Sequence, residues 1–244
     1  MRVLDLFSGI GGFSLGLERT GGFQTVAFCE IDSFARRVLA KHWPGVPCYD
    51  DVRTLTAERL AADGIGVDVI CGGFPCQDLS TAGSGLGLAG ERSGLWYEFA
   101  RLIGELRPRL VIVENSPELL DGWLGDILGP LATLGYDAEW NCIPASTLGA
   151  PHRRDRLWIV AYPAGVGQQG QGRRVHAIYP APDAYREADR LVGAFQRHSL
   201  PFVCGGHDGV PGRLDELRGL GNAVVPQIPE LIGRAILAAE ERAA

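Results

Sequence analysis

The amino-acid sequence predicts an α/β fold: a mostly parallel sheet with helices on both faces, followed by a small loop-rich region. Three observations carry this expectation. Up to about residue 160, short apolar runs alternate with amphipathic stretches. The apolar runs are of strand length and end in polar or glycine-rich turns. The alternation collapses after Pro163. Alternation of this kind builds βαβ units, whose right-handed crossovers lay helices on both sides of the sheet. A chain of 244 residues with 46% hydrophobic content has ample side chain for one full core.

In chain order, residues 2–6 (RVLDL) read as the first strand, and a glycine-rich turn leads into a helix over 12–19. Strands are expected at 25–29, 67–71, 110–113, 138–143 and 156–161. Helices are expected at 34–42, 95–106 and 119–134, where apolar residues recur every three or four positions. Residues 163–174 (PAGVGQQGQGRR) show no periodicity, and 175–212 hold one short helical candidate at 185–195. A closing helix at 228–242 resumes the pattern, with Pro226 and Pro229 near its start, where proline is tolerated. We expect this helix to pack back on the first unit. That would give a discontinuous domain of residues 1–162 and 219–244, with 163–218 apart from it.

The composition narrows the class. The longest apolar stretches are far short of a membrane span. The start, MRVLDLFSGIGG, has one basic residue and then a polar turn, unlike a signal peptide, so a cytoplasmic location is expected. The six cysteines (Cys29, Cys48, Cys71, Cys76, Cys142, Cys204) form no CxxC pair and no His/Cys cluster, so free thiols and no metal are expected. A net charge of −6 argues against a general nucleic-acid binder, but residues 151–218 hold ten arginines against seven acids. Lys41 is the one lysine of the chain. Arginine suits phosphates and guanine edges, and a GC-rich genome produces the same bias.

Several motifs carry chemistry. In DLFSGIGGFSLGLE (5–18), Gly9, Gly11 and Gly12 allow a sharp turn that brings backbone N–H groups to a ligand at a helix start. The next strand ends in CEID. Glu30 is placed to bond a ribose, while Asp32 suits capping the following helix. Asp51, in YDDVRTL, comes near the end of a third unit, and the three features together point to an adenosyl cofactor. In CGGFPCQDLS, Pro75-Cys76 follows a strand directly at the carboxyl edge and precedes the glycine-rich residues 83–94. That suits a nucleophile covered once substrate arrives, or equally a structural cysteine in a turn. Glu114, in VENSPELL, can hydrogen-bond or protonate a ring nitrogen, or cap the next helix. Arg154 and Arg156 are two apart at the head of a strand, so their side chains share a face. They can bind phosphate, steady a base carbonyl or pair with Glu114.

Taken together, DLFSGIGG, GGFPCQDLS, ENS, PHRRDR and GNAVVPQIPELIGRAI occur in an order that resembles the C5-cytosine DNA methyltransferase family of bacterial and phage type. The resemblance implies a Rossmann-like methyltransferase sheet and a DNA (cytosine-5-)-methyltransferase. The methyl donor would be S-adenosyl-L-methionine, leaving S-adenosyl-L-homocysteine, with double-stranded DNA as partner and no metal. Phe7, Gly9, Ile10, Gly11 and Gly12 would shape the cofactor pocket. Glu30 would hold the ribose with Ile31 against the adenine, Asp51 and Val52 would read the adenine edge, and Phe74, Pro75, Asn222 and Ala223 would complete the pocket. Cys76 would attack C6 of a flipped cytosine. Glu114 would engage N3 and the exocyclic amine, Arg154 and Arg156 would support base and carboxylate, and Gln77, Ser80 and Asn115 would contact substrate. Extruding the base costs a few kcal/mol, which closure of the 83–94 loop would offset.

Three departures stand out. Ser116 replaces the usual valine, and His152 the usual glutamine. Only about fifty residues separate Tyr162 from the closing motif, an unusually short target-recognition region. It implies relaxed or very short specificity, or a partner protein that supplies recognition, or a shortened or degenerate copy. READRLVGAF (186–195) faintly resembles the family's ninth motif. An RNA (tRNA) cytosine methyltransferase and a non-catalytic DNA- or cofactor-binding subunit are the alternatives. A restriction-modification or phage-defence role rests on family association alone.

Overall fold

The computed structural model describes residues 1–75, 94–148, 154–165 and 223–242. Among the site candidates, Cys76, Gln77, Ser80 and Asn222 lie outside these residues, as do His152, Cys204, the loop up to residue 93 and the helical candidate at 185–195.

The elements are β1 (Arg2–Leu6), α1 (Gly12–Glu18), β2 (Gln24–Cys29), α2 (Ser33–His42), β3 (Cys48–Tyr49), α3 (Ala57–Ala62), β4 (Val69–Gly72), α4 (Leu95–Leu106) and β5 (Leu110–Asn115). A 3₁₀ turn (Pro117–Asp121) follows, then α5 (Leu124–Thr133), β6 (Tyr136–Pro144), β7 (Asp155–Pro163) and α6 (Gln227–Glu241). Among the described residues the strands form one seven-stranded sheet in the order β3-β2-β1-β4-β5-β7-β6. β1 to β5 pair in parallel, and β7 runs antiparallel to both β5 and β6.

The central strands are buried on both sides, as a parallel sheet under helices must be. Val3, Val69, Leu110, Ile112, Trp158 and Val160 face one side, packed with Phe13 and Leu17 of α1 and Ile228, Ile232 and Ile236 of α6. Leu4, Leu6, Ile70, Val111, Val113 and Ile159 face the other, against Trp96, Phe99 and Ile103 of α4 and Ile127 and Leu131 of α5. The segment that leads into α6 approaches α1 so closely that only glycine fits there. A Cβ on Gly12 would stand 2.3 Å from the Val224 carbonyl oxygen, and one on Gly16 would stand 2.1 Å from that of Pro226. None of the described helices is long and apolar enough to cross a membrane.

The structure departs from the expected elements in three places. The helix expected over 119–134 is broken: Ser116 caps a 3₁₀ turn, Gly122 at φ 131° ends it, and the α-helix starts at Leu124. β3 is an edge strand two residues long, and α3 is six residues long with Thr56 as N-cap. Both are too short to show a period. Arg154 precedes β7 with φ 36°, so strand alternation does not set its direction relative to Arg156.

Candidate active site

The strand order places a switch point between β1 and β4, where crossovers leave in opposite directions and open a crevice at the carboxyl edge. A cavity of about 780 Å³ lies there. Because β7 is antiparallel, its first residues sit at that same edge and reach the ends of the parallel strands.

Each strand delivers its residues through a short turn. After β1 the backbone turns left-handed at Phe7 (φ 52°) and Gly9 (φ 52°). The Ser8 hydroxyl donates to the Asp5 carbonyl at 2.6 Å and accepts from the Cys29 N–H at 3.3 Å. Glu30, just past β2, ties two turns together: Oε2 accepts from the Gly9 N–H and Oε1 from the Asp32 N–H, both at 2.7 Å. Asp32 is the N-cap of α2, accepting from Phe34 and Ala35. Phe7, Gly9, Ile10, Glu30 and Ile31 all line the cavity, and Ile31 is 68% exposed, an apolar surface open to a planar ring. Gly11 and Gly12 stand behind it. A Cβ on Gly11 would meet the Trp43 ring at 2.6 Å, so these two glycines serve packing against α2 and the segment before α6.

Asp51 and Val52 line the cavity after β3, with Asp50 and Arg53 beside them. Phe74 and Pro75 line it after β4, and Ala223 contributes from the chain entering α6. Asn115 is 3% exposed and works on the backbone: its Nδ2 donates to the Phe74 carbonyl at 3.0 Å, and its Oδ1 accepts from the Ser116 N–H at 2.8 Å. It thus pins the strand end that runs into Pro75, while also lining the cavity.

Glu114 pairs with Trp158 across the β5–β7 ladder, so Arg156, two residues earlier on β7, is its diagonal neighbour on the same face. Arg156 Nε lies 2.8 Å from Glu114 Oε1. Gly73 makes room: a Cβ there would be 2.6 Å from Glu114 Oε2. Burial pushes the Glu114 carboxyl up, against the pull of the Arg156 and Arg154 charges. Burial lowers the Arg154 guanidinium, and the neighbouring Arg156 charge adds to this. Of the alternatives for Glu114, helix capping falls to Ser116, whose Oγ accepts from the Glu118 N–H.

Two features escaped sequence reading. Asp5, at the end of β1, is fully buried and accepts from the Ser14 hydroxyl at 2.7 Å. Arg53 grips Asp51 from two residues on in a local turn. An acid within a strand and an arginine in a loop carry no pattern that signals either role.

The profile of the C-5 cytosine-specific DNA methylase family matches residues 1–190. The chain belongs to that family. Type II methyltransferase M2.BsuMI of Bacillus subtilis (strain 168) is 38% identical over 169 residues, covering 66% of this chain and 42% of that protein. Type II methyltransferase M.CviJI of Paramecium bursaria Chlorella virus IL3A is 35% identical over 162 residues, again 66% and 42%. The chain therefore spans less than half the length of these curated relatives. Among solved structures, a protein assigned as a prophage-encoded DNA modification methyltransferase of E. coli superposes with a TM-score of 0.68 at 20% identity, covering 99% of both chains. The S. pombe Dnmt2 methyltransferase superposes at 0.58 with 14% identity. These neighbours establish the Rossmann-like methyltransferase fold.

Proposed function

We propose that this methylase-family chain transfers a methyl group from S-adenosylmethionine to C5 of a flipped cytosine in double-stranded DNA, through a covalent bond between Cys76 and C6. The observation that carries this reading is convergence. Residues from seven separate segments of the chain, each expected for the family's cofactor or base, surround one cavity at the switch point. The fit to an adenosyl group is chemical: an exposed Ile31 for the ring, acceptors on Asp51 for an amine, and the Glu30 carboxylate for ribose hydroxyls, in a volume suited to a ligand of that size. When bound, the cofactor supplies an electrophilic methyl on a sulfonium.

The chain's own residues would do the rest. The four described cysteines are poor thiolates. Burial pushes Cys29 up to about 12 and Cys48 up to about 11, and it also raises Cys71 and Cys142. Cys76, the next residue in sequence after Pro75 of the cavity wall and part of the Pro-Cys-Gln motif, is the nucleophile we assign. Addition of its thiolate at C6 makes C5 nucleophilic. Glu114, held protonated more readily by burial, would engage N3 and the exocyclic amine, so that the charge of the adduct moves to C5. Arg156 orients that carboxyl, and Arg154 would support the base carbonyl. Once C5 has bonded to the methyl group, a base would remove the C5 proton, and the Cys76 thiolate would leave as the C5–C6 double bond re-forms.

The α6–α1 contact supports one catalytic unit built from residues 1–162 and 219–244, with target recognition assigned to 163–218 or to a partner protein. We place the protein in the cytoplasm, where a DNA substrate of this kind would be met. The test is incubation of purified protein with tritiated S-adenosylmethionine and mixed-sequence duplex DNA or matched RNA. Label in DNA that is lost in Cys76→Ala, with cofactor binding retained, supports the reading. Label from Cys76→Ala, or label in RNA alone, overturns it.

A further inference from the structure

The Asp51 carboxylate is not offered bare to the cavity. Arg53 folds back over it, with Nε 2.9 Å from Oδ1 and 3.1 Å from Oδ2, and Nη2 2.7 Å from Oδ2. The Arg53 backbone N–H donates to Oδ1 at 2.9 Å, closing an Asx turn. Thr54 fixes the same turn, its N–H and its hydroxyl both donating to the Asp51 carbonyl. Asp51 and Arg53 both line the cavity.

A carboxylate offers about four lone-pair sites. The arginine fork and the amide take up most of them and fix the plane of the group. We propose that Arg53 is a positioning residue: it aims the remaining acceptor capacity of Asp51 at the 6-amino group of an adenine ring, and so sets the preference of this cavity for adenosyl over other purine ligands. The inference rests on the adenosyl reading above. A carboxylate already held in its binding orientation loses little rotamer freedom when the ring arrives, whereas a free one must be ordered at that moment. Only the planar guanidinium provides this grip, since a lysine ammonium is a point charge that matches one oxygen at a time. The pair also keeps Asp51 ionised, its carboxyl held below the ordinary value mainly by the Arg53 hydrogen bonds. The Arg53 side chain is 55% exposed, so its loss should leave the fold intact and change selectivity instead.

The experiment measures binding by calorimetry of S-adenosylhomocysteine and S-inosylhomocysteine, in which a carbonyl replaces the 6-amine. The proteins are wild type, Arg53→Gln and Arg53→Lys. Wild type is expected to prefer the adenosyl ligand by about tenfold or more, the worth of one hydrogen bond to a charged acceptor. Arg53→Gln should reduce that preference to about threefold or less, mainly by weakening the adenosyl ligand, with Arg53→Lys in between. A purely structural role would weaken both ligands alike. An equal loss for both, or an unchanged preference in both variants, overturns the proposal while the adenosyl reading stands. No adenosyl binding by wild type overturns the adenosyl reading and this inference with it. If Arg53→Gln fails to fold, Arg53→Lys alone decides the ratio.

Discussion

Replacing Asp5 with asparagine should change how stability depends on pH. Asp5 is fully buried, with one oxygen on the Ser14 hydroxyl and the other without a hydrogen-bond partner. Burial pushes its carboxyl from 3.8 to about 7, with the Ser14 hydrogen bonds opposing the rise. In the unfolded chain the group loses its proton near its ordinary value. Between there and about pH 7 the folded protein holds more protons, so stability falls as pH rises through that window, and the full cost stands above it. At 1.36 kcal/mol per pH unit, the cost is about 4 kcal/mol at most. Asparagine is neutral throughout and lacks this slope, but it places an amide where Oδ1 has no partner, at about 1–3 kcal/mol. The variant should therefore gain about 3 kcal/mol on wild type between pH 5 and pH 8.5, lying close to it at pH 5 and above it at pH 8.5. Urea unfolding across that range gives the difference directly, other titrating groups cancelling between the two proteins. A difference that stays flat with pH would refute the assignment of a neutral buried Asp5.

Other outcomes follow from single contacts. Gly16→Ala drives a Cβ against the Pro226 carbonyl and should cost about 2–3 kcal/mol in urea unfolding, whereas Gly125→Ala, in open space within α5, should gain about 0.5–1 kcal/mol. Equal effects at the two positions would undo the packing argument. Asn115→Asp keeps the shape but removes the donor to the Phe74 carbonyl. Methyl transfer should fall at least about tenfold while S-adenosylhomocysteine affinity stays within about threefold, and an unchanged rate would show that the pin does not matter. Glu114→Gln leaves Arg156 without its charged partner and should lower turnover by roughly 10²–10⁴, with cofactor binding preserved. Near-normal turnover would remove Glu114 from the chemistry.

What could be read in advance follows from the length over which a signal repeats. The long elements declared themselves: α4 runs over the expected residues, because its apolar face recurs through three turns. β3 and α3 are too short for any period to emerge, and the single glycine that splits 119–134 does not disturb the apolar spacing around it. The glycine turn, Glu30 and Glu114 could be picked out as candidates because each follows directly on or ends a strand, and the structure brings Gly9, Glu30 and Glu114 to one cavity. The partners that orient these groups could not be picked out. Asn115 acts through the Phe74 backbone, 41 residues away in sequence, and Arg53 through a turn whose geometry no spacing rule encodes. The placement of Cys76 itself lies outside the described residues.

The backbone contact between α1 and α6 also has a meaning in time. Gly12 meets Val224 and Gly16 meets Pro226 across roughly two hundred residues of sequence, a pairing of high contact order that must close late. During synthesis the glycine turn leaves the ribosome roughly two hundred residues ahead of Ala223, a wall of the same cavity, and of the helix that braces it. A nascent chain would thus carry an apolar flank on α1 until α6 arrives. A chain stopped short of α6 should be retained by chaperones, even with every motif before it already made.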